Sequence, residues 1–354
     1  EWLDVQLVER SLDRYDRGLI SQLDLCEFVH KHGGMVRGFA AVCLAGQISP
    51  YTWGGNRKGE CGPPGEFGDS CFDPVQVYWK LNGSRIRQVD CDAGISAAVL
   101  DNGELYTWGS VAGGKLGRDE PFGPGADERA PGLDGVPRKV DALEGCQIAA
   151  VSCSASYVAA VSEDGQLFTW GSFGGDDHAP TLGHRHGEVL LGTEDGSHYS
   201  PVPIAVRALR SMHVTQVSCG PEHAGAVTAH GQLYCWGSGD RGRLGIGSEV
   251  DSWAPQQVAD LAGKRMVQVA CGSVHTLALT VRGELFVWGG ARSGKLGLGG
   301  VGFCDTFVQK THSGQPFVPR PKLVSALAAM HVTHVAAGRA HSLAITEQGA
   351  LYTW

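Results

Sequence analysis

Two strings in this chain come within one residue of a phosphate-binding loop. Gly109 to Gly114-Lys115 and Gly289 to Gly294-Lys295 each carry G-x(4)-G-K. In such a loop backbone N–H groups cradle the phosphates, the lysine reaches the outer ones, and a following Ser or Thr hydroxyl holds magnesium. Leu116 and Leu296 stand in that last place. No helical pattern follows either string to lend its dipole. The same G-x(4)-G recurs at Gly54 and Gly237 without the lysine, which predicts a turn needing positive φ rather than a nucleotide site. "GSGDRG" at 237–242 spells G-x-G-x-x-G, and is set aside for the same lack of a helix. "DDHAPTLGHRHGE" at 176–188 groups Asp176, Asp177, His178, His184 and His186. These residue types can ligate a transition metal, but a loop of Asp, His and Gly is first read as solvated. His223, His275 and His341 occupy one repeated position. Separate repeats contribute them, so they read as structural. No G-x-S-x-G, H-E-x-x-H or Cys-His arrangement is present. No catalytic, cofactor-binding or metal residue is assigned, no cofactor is expected, and the expectation is not an enzyme.

The elements that position these residues repeat. Six stretches align: "GQISPYTWGG" at 46, "GELYTWGS" at 103, "GQLFTWGS" at 165, "GQLYCWGS" at 231, "GELFVWGG" at 283 and "GALYTW" at 349. Their tryptophans are Trp53, Trp108, Trp170, Trp236, Trp288 and Trp354. A period of roughly fifty to sixty-five residues signals a propeller or solenoid. In "VQVACGSVHTLALTVRGELFVWGG", Val267, Val269 and Cys271 alternate at strand period. His275 to Thr280 predicts a second strand, and Leu285 to Trp288 a third. "DNGE" at 101 and "EDGQ" at 163 predict two-residue hairpin turns with positive φ. A Pro/Val segment such as "APQQV" at 254 supplies a fourth strand. Both faces of such sheets need burial, which radial packing of small sheets satisfies. The aromatic third strands suit the wider space between sheets, so Trp170 and Trp236 are expected to be buried.

Composition bounds the function. Net charge is −8 over 354 residues, with 52 glycines outside any low-complexity tract. The acidic balance and the lack of a basic run argue against nucleic acid. No apolar run approaches the roughly 18 residues of a membrane span. Eleven cysteines without a C-x-x-C pair read as reduced thiols inside the cell, in the cytoplasm by first choice, with nucleus and cilium left open.

The W-G-x(4)-G-x-L-G loop, the "QVACGxxHTLAL" strands and the G-x-L-Y-x-W-G hairpin together resemble the regulator of chromosome condensation repeats, over roughly 34–354. "VQVACGSVHTLALTVRGELFVWGG" matches nearly throughout. "AAVSCSASYVAAVSEDGQLFTWGS" lacks the glycine and histidine, and "RQVDCDAGISAAVLDNGELYTWGS" lacks the histidine. The resemblance implies an all-β β-propeller with seven blades in a closed ring, of which six hairpins are visible. "LYTW" at 351–354 would then be a third strand whose loop should follow. Together with Glu1 in first place, this reads as a fragment cut after the sixth hairpin, with an open ring as the alternative. A plant ultraviolet-B photoreceptor of this family uses tryptophans in G-W-R-H-T motifs. Here those slots read "GSVHT", "GPEHA" and "GRAHS", against light sensing, and Trp2, Trp79 and Trp253 lie outside the repeat position.

Residues 1–33 lack the repeat and show helical spacing at Trp2, Val5, Leu12, Leu25, Phe28 and Val29. "YDRGLISQLD" resembles an EF-hand loop with Gly18 sixth. Tyr15 and Arg17 fall on ligand positions they cannot fill, and Asp24 replaces the bidentate glutamate. A metal-free helix-loop-helix remnant is the first reading. A degenerate first repeat, with "LISQLDLC" as inner strand, is the second.

The functional expectation is a non-enzymatic protein-protein interaction scaffold within a larger protein or assembly. The alternative, implied by the family resemblance, is a guanine-nucleotide exchange factor for a small GTPase, acting by a hairpin wedge. Long insertions at 119–137, 172–203 and 302–318 could each project such a wedge.

Overall fold

The structure, a computed structural model, describes residues 40–42, 51–55, 70–76, 85–118, 135–172, 183, 191–192, 198–299 and 307–354. The helix-loop-helix expected at 1–33 lies outside them. So do Trp2, Trp79, Asp176, Asp177, His178, His184 and His186. Among the described residues there are strands and short 3-10 turns but no α-helix.

Six small antiparallel sheets follow one another along the chain. The first holds β1 (Ala40–Val42), β2 (Tyr51–Gly55) and β3 (Ser70–Gln76). The second holds β4 (Ile86–Asp92), β5 (Ile95–Leu100), β6 (Leu105–Gly109) and β7 (Arg138–Lys139). The third holds β8 (Ile148–Cys153), β9 (Tyr157–Ser162), β10 (Leu167–Ser172), β11 (Leu191–Gly192) and β12 (His198–Ala205). The fourth holds β13 (Val214–Cys219), β14 (His223–Thr228), β15 (Leu233–Gly237) and β16 (Ser252–Gln257). The fifth holds β17 (Met266–Cys271), β18 (His275–Thr280), β19 (Leu285–Gly290), β20 (Gln309–Lys310) and β21 (Pro316–Leu323). The sixth holds β22 (Val332–Ala337), β23 (Ser342–Thr346) and β24 (Leu351–Thr353). The fold is an all-β propeller. Five blades, the second to sixth sheets, are described with their side chains, where the sequence shows six hairpins. The first hairpin, around Trp53, is described as backbone pairing alone. The chain forms two compact units: residues 1–163, 170–172 and 199–204, and residues 164–169, 173–198 and 205–354.

Blades bury both faces. Every residue of β5, β9, β14 and β18 is buried. The core lies between neighbouring sheets: Trp288, Phe286 and Met266 of the fifth blade pack with Leu233, Cys235 and Leu244 of the fourth. Trp108, Trp170, Trp236 and Trp288 are all at most 1% exposed, as the aromatic third strand requires.

The hairpins differ from expectation in one respect. Leu100 N–H donates to Glu104 O and Gly103 N–H to Leu100 O, both at 2.9 Å. The loop is therefore three residues, Asp101-Asn102-Gly103, with positive φ only at Gly103 (77°). A two-residue type I′ turn needs positive φ at both central residues; a type I turn closed by one left-handed glycine matches the strand twist with one. The loops ending at Gly231, Gly283 and Gly349 repeat this pattern. Gly283 has a second duty. Its carbonyl accepts the Val332 N–H of the next blade at 3.3 Å, and an added Cβ would meet His331 Cα at 2.9 Å.

A repeated glutamine joins the inner strands. Gln268 donates to Val335 O (2.9 Å) and accepts from Val335 N–H (3.0 Å). Gln216 does the same to Val269, and Gln88 to Val151. The primary amide thus acts as one more peptide group at the edge of the next blade. Gln268→Leu is expected to cost about 1–2 kcal/mol, since water can replace only part of this half-buried pair. Urea unfolding measures it, and a loss within 0.3 kcal/mol (about the noise of such data) would mean that the amide clamp does not hold the blades together.

Candidate functional site

Three of the third strands run into a described tight turn: Ala112–Gly114 after β6, Asp240–Gly242 after β15 and Arg292–Gly294 after β19. Two successive residues take positive φ in each: Gly113 and Gly114 (69°, 72°), Arg241 and Gly242 (57°, 65°), Ser293 and Gly294 (62°, 76°). This is the recurring glycine rule of the sequence. Among the described residues no α-helix follows, so there no array of N–H groups faces a phosphate. The turn instead feeds a cation inward. Lys115, Arg243 and Lys295 are only 4%, 1% and 5% exposed.

In two blades the cation is used up inside the fold. The Lys115 ammonium donates to Ala155 O (2.9 Å) and Ala93 O (3.3 Å). Burial pushes the nearby Asp92 carboxyl up to about 6, against the pull of Lys115. Arg243 donates Nη1 to Glu222 Oε2 (2.5 Å), Nη2 to Asp240 Oδ2 (2.7 Å) and Nε to Asp240 O (2.8 Å).

The carbonyls of these cationic residues hold the next blade. Lys115 O accepts Trp170 Nε1–H and Arg243 O accepts Trp288 Nε1–H, both at 2.8 Å. The following Leu-Gly leaves room for the indole: a Cβ on Gly245 would lie 2.6 Å from Trp288 Nε1. The W-G-x(4)-G-x-L-G string is thus a latch between blades.

The histidines join the same latch. His223 Nε2 lies 2.8 Å from Thr276 Oγ1, which donates its own proton to Arg243 O at 2.8 Å. Nε2 must therefore carry the hydrogen of that contact. His275 Nε2 stands likewise 3.0 Å from Ser342 Oγ, which donates to Lys295 O at 2.7 Å. Both rings are fully buried. Burial first, then Arg243 and His275, hold His223 well below the usual imidazole range. Burial, Lys295 and His341 bring His275 to about 3. The three histidines do not converge on one point; His223 and His275 each face the blade that follows. Sequence reasoning missed their hydroxyl partners and the glutamine clamp. The signal was there in the dipeptides His275-Thr276 and His341-Ser342.

The thiols follow the same burial. Cys235 is pushed up to about 12 and Cys271 well above its ordinary value, both by desolvation. They stay protonated and are poor nucleophiles. Of the long insertions, 302–318 places a hairpin on the fifth blade, in which β20 pairs with β21. In 172–203, β11 lies beside β12, and of 119–137 only residues 135–137 are described.

Small sheets of three to five strands, a buried third-strand tryptophan and a glycine latch define a β-propeller built of homologous repeats. The chain belongs to the RCC1-like domain family, whose model matches residues 21–354. It is 31% identical over 319 residues to the human E3 ubiquitin-protein ligase HERC2, covering 90% of this chain and 6% of that protein. It is 32% identical to the Arabidopsis thaliana ultraviolet-B receptor UVR8, over 89% of this chain and 62% of that one. The chain thus spans less than two thirds of each of these relatives. In structure it is similar to Prp20p from Saccharomyces cerevisiae, with a TM-score of 0.68 and 22% identity over 87% of this chain and 67% of that one. That likeness carries the fold.

Proposed function

We propose that the chain is a non-enzymatic scaffold for protein partners, built on an RCC1-like propeller. The observation that carries this reading is the use made of the groups that imitate a catalytic site. The Lys115 ammonium, the Arg243 guanidinium and the Nε2 atoms of His223 and His275 are each spent on the fold itself. The outward loops are then left to bind. Prp20p, of similar fold, is described with binding to Gsp1p and histones, which supports protein partners for this chain. Ligase activity or light sensing would belong to whole proteins of which this chain spans only part.

The test is affinity capture with the chain as bait, followed by reconstitution from purified components. A stoichiometric complex that forms without nucleotide is the expected result. No reproducible partner, together with turnover of any substrate, would overturn it.

One observation favours the second reading, a nucleotide-exchange factor for a small GTPase. The β20–β21 hairpin, turning through Thr311–Gln315 with Gly314 at φ 74°, would supply the hairpin wedge of that reading. Release of a fluorescent guanine nucleotide from a panel of small GTPases separates the two. Acceleration by the chain that is lost when 311–315 is replaced by Gly-Ser would favour exchange over the scaffold.

A further inference from the structure

The repeat supplies its own control for the buried cation. Around Arg243 of the fourth blade stand two carboxylates, Glu222 just before His223 and Asp240 three residues before the arginine. In the fifth blade Lys295 occupies the place of Arg243 and is as deeply buried. The residue before His275 is Val274, and the residue three before Lys295 is Arg292. One carboxylate has become apolar and the other has become a second cation. The residue matching Ser273, whose carbonyl helps to hold Arg243, is Arg339.

Arg241 from the fourth blade adds a third charge. Its Cδ lies 3.4 Å from the Cβ position of Gly290, beside Val274. It holds positive φ, a conformation a non-glycine residue adopts at a cost. Burial, then Arg241, then Arg292 lower the pKa of Lys295. Among the described residues no carboxylate lies within ion-pair distance of Lys295 or Arg292, while Arg241 shares Asp240 with Arg243. Lys295 and Arg292 thus lack, among the described residues, the carboxylates that surround Arg243; like charges so placed disfavour the folded state, which an anion docked beside them would offset.

We propose that Arg241, Arg292 and Lys295 form the docking site for an acidic segment of a protein partner, whose carboxylates take the places that Glu222 and Asp240 fill around Arg243. This rests on the scaffold reading and names the chemistry of its partner. Guanidinium groups pair carboxylates in two-pronged fashion. The net charge of −8 repels a long polyanion such as nucleic acid, while a short acidic segment feels mainly the local field, within a Debye length of about 8 Å.

The experiment titrates the chain with a fluorescein-labelled dodecapeptide of alternating Asp and Ser, reading anisotropy. The same peptide with Asn for Asp, inorganic phosphate, and a single-stranded RNA of twelve nucleotides form the other arms. Saturable, salt-sensitive binding of the Asp peptide is expected, weakened about tenfold by Lys295→Ala and more by Arg292→Asp. Arg320→Ala, whose partner is Asp260, should bind as the unaltered chain does. Arg292→Asp installs the fourth blade's carboxylate, so its Tm should rise, which also shows that the variant is folded. Equal binding of the Asn peptide, unchanged affinity in Arg292→Asp, tighter binding of the RNA, or displacement by an equal concentration of phosphate would each overturn the proposal. A captured partner that still binds Arg292→Asp would reject this site and leave the scaffold standing. Failure to capture any partner would count against the scaffold, with the peptide titration still deciding the site.

Discussion

Trp288→Ala is expected to destabilise the protein by about 3–5 kcal/mol, the usual loss for a large buried aromatic. The indole is wholly buried against Leu244 and Cys271. Its Nε1–H donates to Arg243 O, which also receives Thr276 Oγ1–H. Alanine therefore opens a cavity between two blades and removes one of two donors on a shared carbonyl. Trp288→Phe separates the parts. It keeps most of the apolar volume and should cost about 1–2 kcal/mol. Because Thr276 serves the same carbonyl, Trp288→Phe with Thr276→Val should cost more than the sum of the single changes. Chemical denaturation measures all four states. A loss below about 1 kcal/mol for Trp288→Ala would mean that the third strand does not carry the blade interface.

The propeller was legible because its signals are local. The alternation in Val267, Val269 and Cys271, the hairpin glycine and the third-strand tryptophan all act within one blade. Even so, the turn at Gly103 came out one residue longer than expected. Asn-Gly serves both a two-residue primed turn and the last two places of a bulged three-residue turn, and one sequence window does not separate them. The latch was half legible. The glycines at 109, 113 and 114 read correctly as a turn, but the reason for Gly245 or Gly297 is an indole of the next blade, more than forty residues away in the chain. The glutamine clamp was missed for the same reason: Gln268 looks like the polar half of an alternating strand until Val335 is placed beside it. Pairing did leave a trace in the repeat. Where His275 is followed one blade later by Ser342, and His223 by Thr276, the blade that has Tyr157 in place of histidine is followed by Ala224. The uncompensated Lys295 was invisible, because Val274 and Arg292 acquire meaning only against Glu222 and Asp240.

The same histidines set how stability responds to acid. The folded chain holds His275 at about 3 and His223 well below 6.5, chiefly by burial. Below 6.5 the unfolded chain binds a proton on each ring that the folded chain refuses. Stability therefore falls as pH falls through that window, by about 1.4 kcal/mol per pH unit for His275, with His223 acting in the same direction. Asp92 works the other way. With its folded pKa near 6 against 3.8 unfolded, the folded chain takes up a proton first, and acidification through that range adds stability. Two rings against one carboxyl leave a net loss of stability as pH falls from 6.5 to 4.5. Asp92→Asn should steepen the fall by removing the offset. His275→Gln should flatten it, because one titrating ring is gone while an amide N–H remains to meet Ser342 Oγ. Urea midpoints at half-unit steps from pH 7 to 4.5 follow all three chains. A flat profile for the unaltered protein, or one that His275→Gln leaves unchanged, would mean that the buried imidazoles reach water in the folded state and that the hydroxyl contacts do not hold them neutral.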